Sequence, residues 1–396
     1  MPRSTPAPSR PARRRPRPPF RVQLMIDPTL DYFREATLGV RQYGFETGRI
    51  EIIDRWLEYE RFNLAALVQR DRVQGIVAAV HWPRLEAKLA RLAIPVVNVS
   101  NTMPLPRLAI VTQDDHEVGR LAHEHLALSG CRQFAFWGQS HALYSMERLE
   151  GFRAGLAATG GSLDVLHTPP RYGPQEYRRI RRWLSRMKPP LAVFAVLDAF
   201  AVLVLRAARE LNWRVPEDVA VLGAGDDDFL VGFERVPLSS IRLPARRIGY
   251  EAGAEIDRLI GGGTAGDRRV RLAPLGLHAR QSTDTIFVRD EAVVKALRHI
   301  RNHATSSPYV GDIARAAGIA RTTLQKRFRA VIGRTVLDEI QRVRIEHAKQ
   351  LLRSSDLKLE TISERCGFAN SQRFSLLFRE RTGLPPGRFR RSTRQA

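Results

Sequence analysis

Residues 312–333 read DIARAAGIARTTLQKRFRAVIG and residues 361–383 read TISERCGFANSQRFSLLFRERTG, and the two stretches repeat one short pattern. Gly318 of the first stretch aligns with Gly367 of the second, 49 positions further along the chain. Each stretch predicts a short helix, a glycine turn and a second helix whose exposed face is basic. This is the helix-turn-helix plan, which places the second helix in the major groove of DNA. Two copies in tandem indicate a protein that reads DNA.

The segment between the two copies predicts one long helix, Val336–Leu352, with apolar residues at helical spacing. At 1.5 Å per residue this helix spans roughly 25 Å. A stiff helix of that length can hold the two reading helices about one DNA turn apart, roughly 34 Å. We therefore expect one chain to contact two successive segments of the major groove.

The second helix of each copy supplies the residues that we expect to contact DNA. The candidates are Arg321, Thr322, Gln325, Lys326 and Arg329 in the first copy and Ser371, Gln372 and Arg373 in the second. Arginine and lysine pair well with guanine, and glutamine with adenine. Asn370 is the expected N-cap of the second copy's helix. The apolar residues that alternate with these candidates should be core: Leu324, Phe328, Phe374 and Phe378.

The net charge of +23 is unevenly spread along the chain. Residues 1–20 hold six arginines and no acid, and residues 285–396 hold 23 basic and 10 acidic residues, a balance of +13. The remaining 35 basic and 31 acidic residues lie in 21–284, a balance of +4. A generally arginine-rich composition would not concentrate the excess, so the basic C-terminal region fits phosphate contact. The Pro- and Arg-rich residues 1–19 are predicted to form a disordered tail.

Several classes of protein are disfavoured by composition. Cys131 and Cys366 lie far apart in the sequence, which argues against a disulfide framework and fits a reducing cytoplasm. No apolar run approaches the roughly 20 residues that span a membrane. The N-terminus lacks the apolar stretch of a signal peptide. We expect a cytoplasmic protein that makes no membrane contact.

Residues 20–284 alternate short apolar runs with amphipathic stretches, and this βαβ rhythm predicts a parallel sheet covered by helices on both faces. The predicted strands are Arg21–Ile26, Ile50–Ile53, Val73–Ala79, Pro95–Val99, Gln133–Trp137, Ala192–Val196 and Val219–Leu222. The predicted helices are Asp31–Thr47, Asn63–Arg70, Glu86–Leu92, Glu117–Ser129, Glu147–Thr159, Tyr177–Met187, Ala199–Leu211 and Ile248–Leu259. About 260 residues exceed one small sheet, so we predict two α/β lobes with a ligand cleft between them. The stretch Arg271–Ser282 is expected to be extended, and a helix should open at Asp290.

Residues 290–391 resemble the DNA-binding domain of the AraC/XylS transcription regulators. The matching positions are Ile362, Gly367-Phe368, Phe374, Phe378, Gly383, Pro385-Pro386 and Phe389-Arg390. Leu376 departs from the pattern, because relatives often carry a polar, DNA-facing residue there. Base reading by the second copy is therefore expected to be reduced.

The preceding region resembles the sugar-binding domain shared by LacI/GalR repressors and periplasmic binding proteins. The matching positions are Asp114, Gly119, His125-Leu126, Arg148-x-x-Gly151-Phe152, Asp198, Val215–Val221, Pro237–Ile241, Pro274–Gly276 and Arg280–Asp284. A sensor of this kind followed by a C-terminal AraC-type domain is similar to the arrangement in xylose operon regulators. The resemblance implies a basic tail at 1–19, a periplasmic-binding-protein-like α/β sensor at 20–284 and an all-α DNA-binding domain with two helix-turn-helix motifs at 285–396. It also implies a homodimer that contacts RNA polymerase.

Sugar pockets need carboxylates and arginines that pair with hydroxyl groups, together with an aromatic face. By resemblance Arg148, expected just before a helix that lines the cleft, and Asp198 are the best ligand-binding candidates. Asp27 and Tyr32, at the end of the first strand, are weaker ones. Relatives usually carry a sugar-contacting aspartate where this chain has Gly225. Either Asp226 replaces it by a shift of one residue, or the ligand has changed.

These observations favour a transcription regulator, expected to be an activator, that is controlled by a small molecule such as a pentose. The alternative is a constitutive DNA-binding regulator whose sensor domain only dimerises or binds a ligand other than a sugar. A sugar-transport protein and an enzyme fit less well, since no catalytic constellation stands out. We expect no cofactor and no metal, because His123 and His125 at positions i and i+2 point to different sides of a helix.

Overall fold

The computed structural model describes residues 18–53, 64–104, 107–169, 174–231, 234–264, 269–285, 290–306 and 308–395. The predicted disordered tail is residues 1–19, of which residues 1–17 lie outside these ranges. Asn63, at the predicted start of one helix, also lies outside them. No helix in the described ranges is both long enough and apolar enough to cross a membrane.

The N-terminal two thirds of the described chain alternate strands and helices. In chain order these are β1 (Phe20–Met25), α1 (Asp31–Thr47), β2 (Ile50–Ile53), α2 (Leu64–Arg70), β3 (Gly75–Ala78), α3 (Pro83–Leu89), β4 (Val96–Asn98), β5 (Ala109–Gln113), α4 (Asp115–Ala127), β6 (Gln133–Gln139), α5 (Leu143–Thr159), β7 (Ser162–Thr168), α6 (Pro174–Leu184), β8 (Leu191–Ala195), α7 (Asp198–Glu210), β9 (Val219–Gly225), α8 (Asp228–Val231), β10 (Ser239–Arg242), α9 (Ala245–Ile260), β11 (Arg269–Leu272) and β12 (Gly276–His278). A short 3₁₀ turn at Gln281–Thr283 follows.

The strands form two six-stranded sheets, which confirms the predicted two-lobed α/β fold. The first lobe is built on the sheet β11-β5-β4-β3-β1-β2 and the second on β12-β10-β9-β8-β6-β7. Every paired neighbour runs parallel except β10 and β12, which run antiparallel. Central strands such as β8, with the sequence LAVFA, are buried at all five positions. This is expected where helices cover both faces of a parallel sheet.

The elements differ from the sequence prediction in several places. β5 and β7 form where the pattern indicated no strand. α5 begins at Leu143 rather than Glu147, so Arg148 lies in the second turn of the helix and not at its start. The stretch Arg271–Ser282 is not uniformly extended, because it contains the ends of β11, all of β12 and part of the 3₁₀ turn.

Each lobe contains one pair of helices that touch through glycine. In the first lobe, a Cβ on Gly39 of α1 or on Gly249 of α9 would collide with the backbone of the other helix. In the second lobe, the same holds for Gly119 of α4 and Gly151 of α5. The Gly151 of the Arg148-x-x-Gly151 motif is therefore required by the close approach of two helix backbones.

The C-terminal module is all helical, as predicted. It contains α10 (Glu291–His303), α11 (Val310–Ala317), α12 (Arg321–Ile332), α13 (Val336–Ser354), α14 (Leu359–Arg365), α15 (Ser371–Thr382) and α16 (Pro386–Gln395). Two separate apolar cores form, one around Leu324 and Phe328 and the other around Phe374 and Phe378. All four residues are fully buried, as predicted.

Helix α13 belongs to both cores of the C-terminal module. Val336 and Ile340, in its first turns, pack in the core of the first copy. Ile345, Ala348 and Leu352 pack in the core of the second copy. The helix therefore joins the two helix-turn-helix units through buried contacts on both sides.

Candidate functional site

The two lobes are joined at three places where the chain passes between the sheets. The crossings follow β5, β10 and β11, and backbone hydrogen bonds tie them together. The Asp114 amide donates to the Leu272 carbonyl at 2.8 Å, and the Leu275 amide donates to the Arg242 carbonyl at 2.9 Å. Polar residues at the ends of these strands therefore meet between the lobes, where open α/β folds bind ligands.

Arg148 lies at the centre of a buried polar cluster between the lobes. Its guanidinium Nε is 2.8 Å from the carboxylate of Asp115, and the side chains are 1% and 0% exposed respectively. Arg148 also donates to the carbonyl of Val196 and lies over the ring of Tyr144, 5.2 Å from its centroid. An arginine near the start of a helix is usually exposed to solvent, whereas Arg148 is buried.

The first lobe contributes the other half of this cluster. The Tyr32 hydroxyl donates to Oε1 of Gln113 at 2.7 Å, and Gln113 Nε2 donates to the Asp115 carboxylate at 3.0 Å. The amide of Asn101 bridges Asp115 and Glu147, at 2.8 Å to each. Burial raises the pKa of Tyr32 above its usual range, and the charge of Asp115 adds to the rise. Tyr32 and Arg148 are thus brought into one network of hydrogen-bonding groups.

Asp198 begins α7 and forms a second polar cluster with the end of β9. Its carboxylate is 3% exposed and accepts from Ser240 Oγ at 2.6 Å and from the Asp227 amide at 3.0 Å. Burial raises the pKa of Asp198 to about 6, and the negative charge of Asp226 adds to the rise. The hydrogen bonds from Ser240 and the Asp227 amide act in the opposite direction, because they stabilise the ionised carboxylate. The group is therefore a buried acid that ionises near neutrality.

Asp226 follows the end of β9 and is linked to the Asp198 cluster through its amide, which donates to Ser240 Oγ at 3.0 Å. It has a left-handed backbone, with φ of 59°, and its carboxylate is 2.7 Å from Arg280 Nη1. Nδ1 of His278 is 3.3 Å from the same carboxylate, and Arg242 Nε is 3.7 Å from it. Asp226, which was expected to replace the aspartate missing at position 225, is therefore already paired with arginine side chains of the protein.

Asp27 is the one ligand-binding candidate that belongs to neither cluster. It is exposed, and its carboxylate accepts from the amide of Thr29 at 3.0 Å, which closes a local turn. The sequence reasoning in turn missed Asp115, Gln113 and Asn101. An aspartate directly after a buried strand end was the available signal for Asp115, but β5 itself was not recognised.

An open cleft of about 910 Å³ lies beside these clusters. Its lining includes Asp31 and Tyr32 of the first lobe and Gly225, Asp226 and Asp228 of the second. Polar groups from both lobes thus border a space large enough for a small ligand.

The ionisation of Asp198 predicts a measurable pH dependence. Since its pKa is raised from 3.8 to about 6, the folded state binds the proton more tightly than the unfolded state. Stability contributed by the protonated acid is therefore lost as the pH rises from about 4 to about 6. We expect Asp198→Asn to be more stable than the parent at neutral pH by about 1 to 2 kcal/mol, allowing for one weakened hydrogen bond.

This effect is measured as the difference in unfolding free energy between parent and variant across that pH range. The difference is needed because burial lowers the pKa of His123 to about 4 and that of His125 to about 3. Folded-state pKa values below the unfolded ones make both histidines stabilise the protein as the pH rises, which is the opposite slope. A parent-minus-variant difference that does not change with pH would contradict the prediction.

Gly225 predicts the result of restoring the aspartate typical of relatives. Its φ is 140°, and a Cβ would lie 2.8 Å from Oδ2 of Asp198. We expect Gly225→Asp to lower the melting temperature, corresponding to about 2 kcal/mol, through backbone strain and repulsion from Asp198. Gly225→Ala carries the strain without the charge, so the difference between the two variants measures the repulsion. A Gly225→Asp protein as stable as the parent would show that the strand end adapts.

In the C-terminal module, both glycine turns adopt the backbone that the repeat requires. Gly318 has φ of 72° and Gly367 has φ of 75°, which L side chains rarely adopt. The side chain of Asn370 accepts from the amide of Arg373 at 2.8 Å, so it caps α15 as predicted. The repeated pattern therefore forms two helix-turn-helix units with equivalent turns.

The structure places most of the predicted DNA-contacting side chains on the surface. Those at Arg321, Thr322, Gln325, Lys326, Arg329, Gln372 and Arg373 are exposed, and Ser371 is half-buried. Leu376 is 71% exposed on the same helix as Arg373. An exposed leucine makes apolar contacts rather than hydrogen bonds with bases.

Helix α4 runs from the polar cluster between the lobes toward the C-terminal module. Its first residue is Asp115, and at its other end His125 Nε2 is 2.8 Å from Thr283 Oγ1. Nε2 of His123 instead faces Thr159 Oγ1 at 3.1 Å, so the two histidines diverge as predicted. A cavity of about 1140 Å³ separates this end of α4 from α13, and its lining includes Arg120 and Glu346.

Charged groups act across this space. Hydrogen bonding to Glu117 raises the pKa of the Arg120 guanidinium above its usual range, and the charges of Glu124 and Glu346 add to the rise. The lowered pKa of His125 is due first to burial and then to Arg301 and Arg342 of the C-terminal module. The end of α4 is therefore electrostatically coupled to α10 and α13.

Comparison with known proteins agrees with this division of the chain. Residues 123–283 match a periplasmic binding protein-like domain, and residues 313–392 match a helix-turn-helix domain. The xylose operon regulatory protein of Escherichia coli K12 is 29% identical over 381 residues, covering 93% of this chain and 96% of that protein. The ribose operon repressor of the same strain is 29% identical over 267 residues, covering 64% of this chain and 78% of that protein.

One solved structure, described as xylose-binding transcription activator xylR, covers 94% of this chain and 98% of its own, with a TM-score of 0.59 and 28% identity. The relatives are transcription regulators rather than enzymes. Together with the exposed reading helices and the two-lobed cleft, these matches indicate a DNA-binding regulator with a sugar-sensor domain. The chain combines a periplasmic-binding-protein-like sensor domain with a C-terminal AraC-type helix-turn-helix domain, and it is similar over nearly its whole length to the xylose operon regulatory proteins.

Proposed function

We propose that the protein is a cytoplasmic, homodimeric activator that binds a monosaccharide such as a pentose between its lobes and contacts RNA polymerase at a promoter. The sensor would span residues 20–284 and the DNA-binding domain residues 285–396. The observation that carries the proposal is the meeting of buried donors and acceptors from both lobes around Arg148 and Asp115. A ring of hydroxyl groups needs both kinds of partner.

The ligand would be held by Arg148, Asp198 and Tyr32, with Asp226 lining the cleft and Asp27 in the exposed turn after β1. Arg148 supplies donors, while Asp198 supplies an acceptor that is ionised at neutral pH. Because polar side chains of the two lobes already bond to one another, a ligand must replace some of these bonds. Ligand binding would then alter the lobe-to-lobe contacts, as a two-state sensor requires.

The DNA would be read by α12 and α15. Arg321, Thr322, Gln325, Lys326 and Arg329 on α12, and Ser371, Gln372 and Arg373 on α15, would reach the major groove. The larger number of exposed polar groups on α12, and Leu376 on α15, support stronger base reading by the first unit. Removing one bidentate base contact, as in Arg329→Ala, typically weakens binding by about 1 to 3 kcal/mol.

Thermal shift of the full-length protein against pentoses, hexoses and sugar acids tests the sensor. A ligand at about 100 times its Kd stabilises the folded state by about 2.7 kcal/mol, which appears as a saturable rise in melting temperature. We expect this rise to vanish in Arg148→Ala and Asp198→Ala. It should persist in Arg84→Ala, a change at an exposed position on α3. A panel without any rise would favour the alternative of a regulator whose sensor only dimerises or binds another class of ligand.

Transmission to the DNA-binding domain would pass through α4 and α13. Glu346→Ala removes the α13 carboxylate that acts on Arg120. We expect this change to reduce the ligand-induced change in DNA affinity, itself typically about 1 to 3 kcal/mol, while ligand affinity stays the same. Fluorescence anisotropy with labelled DNA, with and without ligand, measures both. Glu360→Ala, at an exposed position on α14, is the matched control, and equal coupling in the two variants would contradict this route.

A further inference from the structure

The net positive charge of the sensor domain is concentrated in one segment. Residues 21–284 hold 35 basic and 31 acidic residues, or +4, while residues 174–188 alone hold six basic residues and one acid, or +5. The rest of the sensor is therefore nearly neutral, at 4 − 5 = −1. An arginine-rich composition does not account for this distribution, so the segment needs its own explanation.

The segment forms α6 and the turn after it, and it is amphipathic. Ile180, Trp183 and Leu184 are buried, and Trp183 Nε1 donates to Asp164 Oδ1 at 2.6 Å. The exposed basic side chains are Arg178, Arg179, Arg181, Arg182, Arg186 and Lys188, and we call them the α6 patch. The segment is thus anchored by buried apolar side chains and carries a mainly basic exposed face.

The α6 patch is only weakly neutralised within the protein. Glu210 of α7 lies 3.9 Å from Arg181 Nε and 3.6 Å from Arg206 Nε. Among side chains whose positions are described, none forms an ion pair with Arg178, Arg179, Arg182, Arg186 or Lys188. Like charges four residues apart on a helix, here Arg178 and Arg182, are destabilising. A partner that brings negative charge would relieve this repulsion.

We propose that the α6 patch binds the phosphate backbone of a second segment of duplex DNA, outside the sites read by α12 and α15. Guanidinium groups match phosphate geometry, and a ridge of charge along a helix fits a linear polyanion better than a compact ligand. DNA is also the polyanion that this protein binds through its C-terminal domain. The inference rests on DNA binding and not on the identity of the sensor ligand.

The position of the α6 patch explains why it would bind a different segment of DNA from the one that α12 and α15 contact. Helices α6 and α7 contact each other and cover one face of the second sheet, while α4 and α5 cover the other. The DNA-binding domain lies against the α4 side, where Arg120 and Glu346 line the same cavity. The α6 patch and the DNA-binding domain therefore lie on opposite faces of the second sheet, and we assign the patch to a separate segment of duplex DNA.

A two-duplex capture experiment tests the proposal. An operator duplex, selected from a random library by the full-length protein, is immobilised and saturated with protein. A labelled duplex without the operator is then added at increasing salt. The patch variant carries Arg178→Gln, Arg179→Gln, Arg182→Gln and Arg186→Gln. The control variant carries Arg84→Gln, Lys88→Gln, Arg91→Gln and Arg107→Gln, at exposed positions of the first lobe.

We expect both variants to bind the immobilised operator like the parent, while only the patch variant loses capture of the second duplex. Because four phosphate contacts are removed, the slope of log affinity against log salt concentration should become less steep by about 3 to 4. Lysine at the same four positions should restore much of the capture. Equal capture by the patch and control variants would overturn the proposal and leave α6 as a solvated surface or a site for an acidic protein.

Discussion

Asp115→Ala is expected to destabilise the sensor domain by about 3 to 5 kcal/mol, because it leaves the guanidinium of Arg148 buried without its carboxylate partner. Both side chains are at most 1% exposed, so water cannot replace the lost interaction. Gln113 and Asn101 would also lose the acceptor that they share. The five tryptophans of the chain all lie in residues 56–213, so urea unfolding followed by tryptophan fluorescence reports the sensor alone.

The matched control replaces both charged partners by apolar residues, Asp115→Leu with Arg148→Met. Because the cost of the single change comes from an unpaired buried charge, the double variant should recover much of the lost stability. A loss below about 1 kcal/mol in Asp115→Ala would place the pair among solvent-exposed ion pairs, contrary to its burial.

Gly151→Ala is expected to destabilise the second lobe by about 3 kcal/mol, although alanine is the better helix former by about 1 kcal/mol. The added methyl group would collide with the carbonyl oxygen of His116, and backbone atoms cannot move aside as a side chain can. Helices α4 and α5 would have to separate. Thermal unfolding followed by far-ultraviolet circular dichroism measures the effect.

Gly311→Ala is the control for this substitution. Gly311 also lies inside a helix, α11, but a Cβ there would meet no atom within 4 Å. The same chemical change should therefore leave stability unchanged or raise it slightly. If both variants melted alike, the contact between α4 and α5 would be more adaptable than its geometry indicates.

The parts of the fold that could be predicted from the sequence are those where a single physical requirement dictates the type of residue. Gly318 and Gly367 marked the turns because both need a left-handed backbone, and Phe328 and Phe378 marked the cores because both are large and apolar. A continuous apolar run was enough to predict a β-strand, as in β8. β7 was missed, since its sequence SLDVLHT mixes polar and apolar side chains at the edge of the sheet.

The candidate site was harder to predict because its polar residues form a sequence pattern that is typical of a surface loop. β5 ends in Thr112 and Gln113, followed by two aspartates, and such a run usually indicates exposure. Thr112 is instead 2% exposed and Gln113 5% exposed, because neighbouring polar groups satisfy them. Arg148 was identified only through resemblance to relatives. Its buried pairing with Asp115 depends on two helices that start 28 residues apart, at Asp115 and Leu143, and no local pattern contains that information.

The double anchoring of α13 also limits how the two proposed reading helices can be placed along a duplex. Since the helix is part of both apolar cores, the two reading units cannot slide or rotate independently. One base pair inserted between their targets would turn the second target by about 34° and move it by about 3.4 Å along the duplex. The proposed reading of DNA by both α12 and α15 therefore requires a fixed helical phase between the two targets, although bases elsewhere are free to vary.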